Sequence, residues 1–181
     1  MTAQKKGLFD WTFLFNWSLI TMVGLVLAPT LRQFTQPLIF WLAGGGVGGQ
    51  AIEGAVIGLV VGLAQQIALP PSLNRRVGWS LASALGWAVG WSWGWSVGWR
   101  LLGGLNFAGI GLIAGLVTGL GQWFILRTQV RSAGWWLLVS PLAWAISLGA
   151  GLAWPGQFGW AVAGGLAGLL TGVWVARVCA M

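Results

Sequence analysis

Six runs of apolar residues divide this chain, at 11–28, 51–69, 77–101, 107–126, 134–154 and 158–178. Each falls within the about 17–25 residues that a helix needs to cross the ~30 Å hydrocarbon core of a bilayer. Between them stands turn chemistry: Pro29 and Pro37, "PPSLNRR" at 70–76, "GGLN" at 103–106, "TQVRSAG" at 128–134 and "WPGQ" at 154–157. The stretch "PLIFWLAGGGVGG" at 37–49 is apolar but short and rich in glycine, so it reads as an interfacial or re-entrant segment. The expectation is an all-α, polytopic transmembrane helix bundle of six spans, forming one membrane domain over 1–181.

Charge supports that reading. Charged residues make up 6% and apolar residues 57%, against about 25% and about 45–50% in soluble chains. Such a chain cannot cover a water-facing surface. Nine Lys and Arg oppose two acids, Asp10 and Glu53, and there is no His. The cations are scattered between apolar runs rather than clustered, which excludes nucleic acid as a partner and fits membrane orientation. With the N-terminus cytoplasmic, that side holds Lys5, Lys6, Arg75, Arg76, Arg127, Arg131 and Arg177, and the other holds Arg32 and Arg100. Both termini are then cytoplasmic. Lys5 and Lys6 before an apolar run also resemble a secretory signal, but the run is long for one and Pro29 follows its small-residue stop; we expect a retained helix. Cys179 stands alone and reads as a packing residue rather than an acylation site.

The chain repeats itself. Residues 54–91 lie over 111–148 without a gap, so that "VVGLAQQ" meets "VTGLGQW" and Gln65 meets Gln122. Trp79 meets Trp136, Ser83 meets Ser140 and Trp87 meets Trp144. One repeat is a glycine helix (Gly54, Gly58, Gly62 or Gly111, Gly115, Gly119), a basic loop and a tryptophan helix. A third glycine helix carries Gly164, Gly168 and Gly172, and the first span, with Trp11 and Trp17, is its candidate partner. This order predicts a closed ring of three hairpins about an axis along the membrane normal, a pseudo-threefold arrangement.

The segment "GIGLIAGLVTGLGQWFILR" at 109–127, and more loosely "GAVIGLVVGLAQQIAL" at 54–69, resembles the uncharacterised Gly/Trp-rich multi-pass membrane proteins common in cyanobacteria. The resemblance covers roughly 50–150 and implies a bacterial inner or thylakoid membrane. It brings no established activity and no catalytic residue.

In "GWSLASALGWAVGWSWGWSVGW" at 78–99, Gly86, Gly90, Gly94 and Gly98 each stand one residue ahead of a tryptophan. Lipid tails give no hydrophobic gain on helix association, so close packing across glycine grooves has to hold such helices together. At about 100° per residue, a spacing of four drifts by about 40° per step. One partner is therefore not expected to cover the stripe on a straight helix, unless the two cross right-handed. Trp11, Trp79, Trp99, Trp123, Trp135, Trp136 and Trp154 are expected in the interfacial belt; Trp87, Trp91 and Trp95 need buried acceptors, for which the serines of their own helix are candidates.

Without His or Tyr, and with one peripheral Cys, the usual bases, thiolates and metal ligands are missing, so no catalytic residue or metal site is assigned. Asp10 and Glu53 belong to opposite faces, and "GGGVGG" lacks the GK[ST] of a phosphate loop. The chain is not expected to be an enzyme. Three polar features remain. Glu53 reads as a shallow side chain paired with Arg32 or Arg100, ahead of a functional intramembrane acid. Gln65 and Gln122 read as interhelical glue, bonded to each other or to loop carbonyls, with a polar vestibule or a pigment-magnesium ligand as the alternative. Arg75, Arg76, Arg127, Arg131 and Arg177 could bind lipid headgroups, although orientation alone explains them. No cofactor is required; a pigment or lipid is admissible. Partners are membrane lipids and a second membrane protein. Two functions survive: a structural, assembly, or lipid- or pigment-binding bundle, and a small channel or transporter for a weakly polar solute. Whether the bundle centre is filled or open separates them.

Overall fold

The computed structural model describes residues 10–69 and 76–179. Lys5, Lys6 and Arg75, and the side chains of Arg76 and Cys179, lie outside the described residues, so the readings placed on them are not addressed by it. The long helices are α1 (Trp11–Ala43), α2 (Val47–Ala68), α3 (Arg76–Trp93), α5 (Asn106–Leu126), α6 (Trp136–Gly151) and α7 (Gly156–Cys179). A π-turn at Gly94–Gly98 and the short α4 (Trp99–Leu102) continue α3.

The first helix departs from the sequence reading. It opens on Asp10, whose Oδ1 accepts from the backbone N–H of Phe13 at 2.9 Å, an N-cap bond. It then runs through Pro29 and Pro37 instead of stopping at 28. Each proline removes the donor to the carbonyl four residues back, Leu25 or Gln33, and the nearby hydroxyls of Thr30 and Thr35 bond other carbonyls, those of Val26, Leu31 and Arg32. Spanning helices tolerate proline where neighbouring helices hold them, and α2 and α7 both pack on α1. The break comes at Gly44, with φ 67°, whose N–H caps back onto the Phe40 carbonyl. Residues 37–43 are thus the end of α1 and 47–49 the first turn of α2, not a separate segment.

Among the described residues five helical stretches are long and apolar enough to cross a membrane: Trp11–Ala43, Val47–Ala68, Gly78–Leu126, Ala133–Gly151 and Gly156–Arg177. The third, 49 residues long, folds back on itself at Gly103 (φ 52°), so that α3 and α5 pack antiparallel. Around the bundle α1 packs on α2, α2 on α3, α3 on α5, α5 on α6, α6 on α7, and α7 returns to α1.

Glycines set each antiparallel pair. A Cβ on Gly54 would meet Trp91 Cβ at 2.6 Å, on Gly58 Trp87 Cβ at 2.7 Å, and on Gly62 Ser80 Cα at 2.7 Å, so α2 lies against the α3 backbone. Gly111, Gly115 and Gly119 do the same for α5 against Trp144, Pro141 and Ser140 of α6. Gly164, Gly168 and Gly172 do it for α7 against Met22, Ser18 and Trp17 of α1. On α3, Gly78 faces Ile125, Gly86 faces Thr118, Gly90 faces Ala114, Gly94 faces Ile110 and Gly98 faces Asn106. One partner, α5, therefore covers the whole stripe. The π-turn helps to keep the register: with i→i+5 bonding each residue advances less than in an α-helix, which winds the drifting stripe back. The glycines serve α5, and Trp79, Trp87 and Trp91, each one position after a glycine, serve α2. That is why the two residue types alternate on adjacent ridges.

The outer faces carry Phe15, Leu19, Val23, Leu27 and Leu31 on α1, Leu81, Leu85 and Val89 on α3, and Leu112, Leu116, Leu120 and Phe124 on α5, all exposed. Helices apolar on the outward as well as the inward face belong in lipid.

Candidate functional site

Towards one end of the ring, three tryptophans from three hairpins meet: Trp17, Trp79 and Trp136, each at most 2% exposed. Trp79 stands 6.0 Å from Trp17 and 5.6 Å from Trp136 between ring centroids. Trp79 and Trp136 are therefore not belt residues as their position near the span ends suggested. Both turn inward because an acceptor of the same hairpin waits there.

Trp79 Nε1 donates to Gln65 Oε1 at 3.1 Å, and Trp136 Nε1 to Gln122 Oε1 at 2.9 Å. In the third hairpin Trp17 Nε1 donates to Thr171 Oγ1 at 2.9 Å. The glutamines do not bond each other. Each passes its amide on to the preceding hairpin: Gln65 Nε2 to Thr21 Oγ1 (3.3 Å) and Gln122 Nε2 to Ser83 Oγ (3.2 Å). Thr171, too short to reach onward, donates instead to the Ala167 carbonyl at 2.6 Å. A buried donor without an acceptor costs about 1–3 kcal/mol, so these bonds fix the level at which the hairpins meet. Further along the axis the centre holds Leu25, Trp87 and Trp144, with Trp87 and Trp144 edge to face at 5.1 Å.

A polar cavity opens at the other end. It measures about 210 Å³ and is bordered by Arg32, Gln36 and Phe40 of α1, Gly44 and Gly45, Gly49, Gln50 and Glu53 of α2, and Trp95. Arg32 Nε stands 3.2 Å from Glu53 Oε2, an ion pair without hydrogen-bond alignment, and the same oxygen accepts from Trp91 Nε1 at 3.3 Å. The Arg32 guanidinium lies 5.9 Å from the Trp91 ring centroid. The pairing of Glu53 with Arg32 is among those read from the sequence. Its bond to Trp91 is not, since the serines of α3 looked the nearer acceptors. Ser96 instead reaches Gln50 Oε1 at 3.2 Å, and Trp95, expected inside, is 40% exposed.

Asn106 escaped the sequence reading altogether. It is fully buried against the π-turn, where its amide donates to the Gly94 carbonyl (3.3 Å) and accepts from Trp99 Nε1 (3.1 Å). Its place in "GGLN", a turn by composition, hid it. Arg127 and Arg131 are exposed near the end where Leu69, Leu126, Ala133 and Val175 cluster with Trp17. Arg127 lies over Phe124 and Trp123, at 4.6 and 5.3 Å from their centroids. Arg177, in the last turn of α7, belongs to the same end, whereas Arg32 and Glu53 belong to the other.

No match emerges when the chain is compared with protein-family models, curated proteins or solved structures. The fold and these two sites define a class, a multi-pass, Trp-rich transmembrane helix bundle.

Proposed function

We propose that this chain is a non-enzymatic integral membrane protein of bacterial inner or thylakoid membranes, a structural or assembly bundle that packs lipid or a partner helix against its outer faces. It crosses the membrane six times as three pseudo-threefold hairpins, with both termini cytoplasmic. The observation that carries this reading is the filled centre. Trp17, Trp79 and Trp136 occupy one level and Leu25, Trp87 and Trp144 the next, with Gln65 and Gln122 engaged by Trp79 and Trp136. A channel for a weakly polar solute would need a path where those rings stand.

Flux measures this directly. Proteoliposomes are expected to pass glycerol and urea no faster than protein-free vesicles in stopped-flow light scattering. Saturable, protein-dependent flux would overturn the structural reading in favour of the channel.

Orientation has its own test, in a Cys179→Ser background. Gly134→Cys and Gly104→Cys place thiols where a Cβ meets nothing within 4 Å. Position 134 is expected to label from the cytoplasmic side only and position 104 from the opposite side only. Labelling of both from one side would end the six-crossing topology.

A further inference from the structure

The cavity at the Arg32–Glu53 end holds two opposite charges whose bonding capacity is only half used. Glu53 Oε2 takes both Arg32 Nε and Trp91 Nε1. Among the described residues, Glu53 Oε1 and the two terminal nitrogens of Arg32 have no partner, and neither is sealed from the cavity as Arg32 Nε is. The side chains are 30% and 12% exposed, so solvent screens them less than it would a surface pair. One cation and one anion leave the site with no net charge. An added anion would be attracted by Arg32 but repelled by Glu53, and an added cation the reverse, whereas a molecule carrying both charges meets both favourably. Phe40 and Trp95 border the same space and offer aromatic faces, which attract ammonium groups.

Depth and size narrow the ligand. Arg32 stands 21 positions along α1 from Trp11, or ~31 Å at ~1.5 Å per residue, close to the ~30 Å of a bilayer core. Trp11, 73% exposed, marks one interface, and the cavity lies at the other, at headgroup depth. About 210 Å³ suits a headgroup and is too small for acyl chains. Leu27 and Leu31, both exposed, precede Arg32 on α1 and so lie on its hydrocarbon side.

We infer that this cavity binds the zwitterionic phosphate–ammonium headgroup of a phospholipid in the non-cytoplasmic leaflet. The phosphate faces the terminal nitrogens of Arg32, and the ammonium faces Glu53 Oε1 and the ring of Trp95. The inference rests on the membrane-bundle reading above but not on the absence of flux, so the flux and binding measurements can fail separately.

Native mass spectrometry of the full chain in detergent tests it, with phosphatidylethanolamine, anionic phosphatidylglycerol and an uncharged galactolipid as probes. One phosphatidylethanolamine is expected to be retained at least tenfold more tightly than either of the others. Arg32→Gln should abolish that preference. Because this leaves Glu53 unpaired and could unfold the chain, the Arg32→Gln/Glu53→Gln double variant, which leaves no lone charge, should lose it equally. Arg100→Gln, at the same end but outside the cavity, should keep it. Equal retention of the three lipids, an equal loss in Arg100→Gln, or an unchanged preference in the double variant would overturn the site. Displacement of the lipid by millimolar free phosphoethanolamine would support the headgroup chemistry and show that a soluble zwitterion also serves.

Discussion

Gly90→Leu and Gly115→Leu are each expected to destabilise the bundle by about 3 kcal/mol or more, the upper range for overpacking. A Cβ on Gly90 would stand 2.7 Å from both the Cβ and the backbone nitrogen of Ala114, and one on Gly115 2.7 Å from Pro141 Cα. Backbone atoms have no rotamer in which to withdraw, so the helices must separate and take the neighbouring glycine contacts with them. Gly165→Leu adds the same bulk where a Cβ meets nothing within 4 Å, and should cost far less. Thermal unfolding in one detergent compares the three. Equal midpoints would mean that the ladders do not hold the helices together.

The second large effect is expected from Gln122→Leu. The substitution nearly conserves volume but strips the fully buried Trp136 N–H of its acceptor and Ser83 of a donor. An unsatisfied buried group costs about 1–3 kcal/mol. Adding Trp136→Phe removes the orphaned donor and should recover part of the loss, although the smaller ring leaves a cavity. Gln157→Leu, at an exposed site, should shift stability by no more than about 0.5 kcal/mol. If the double variant is destabilised by the sum of the two singles, the tryptophan–glutamine bond carries no coupling and the layer is held by packing alone.

Much of this architecture was legible because lipid leaves so few ways to associate. A glycine every fourth residue has little use in hydrocarbon except close packing, so Gly54, Gly111 and Gly164 marked their helices and pointed to partners. The ungapped repeat foretold that Gln65 and Gln122 would occupy matching places, and their bonds to Trp79 and Trp136 match in turn. What stayed hidden depends on direction rather than on position along the chain. Trp79 and Trp136 sit near span ends, where a tryptophan ordinarily turns to the headgroups, and only the acceptor across the hairpin turns them inward. Pro29 and Pro37 look like stops because a sequence does not display the packing of α2 and α7 on α1. The Arg32–Glu53 cavity needed α1 to continue past both prolines, so a helix cut at 28 would have left Arg32 in a loop.

One hairpin of the three differs in kind. The others join helices that follow each other along the chain, but α1 and α7 have the rest of the bundle between them, and Trp17 finds its acceptor on Thr171, 154 positions later. A chain made from its N-terminus onward can assemble α2 with α3 and α5 with α6 as soon as each pair is complete. α1 must wait for α7 to be synthesised. Until then the nascent protein is an open arc with a tryptophan edge on α1 and, once α7 emerges, a glycine edge to match. Closure on a neighbouring arc would use the same edges as closure on itself, so exchanged dimers compete only where crowding brings nascent chains to a high local concentration.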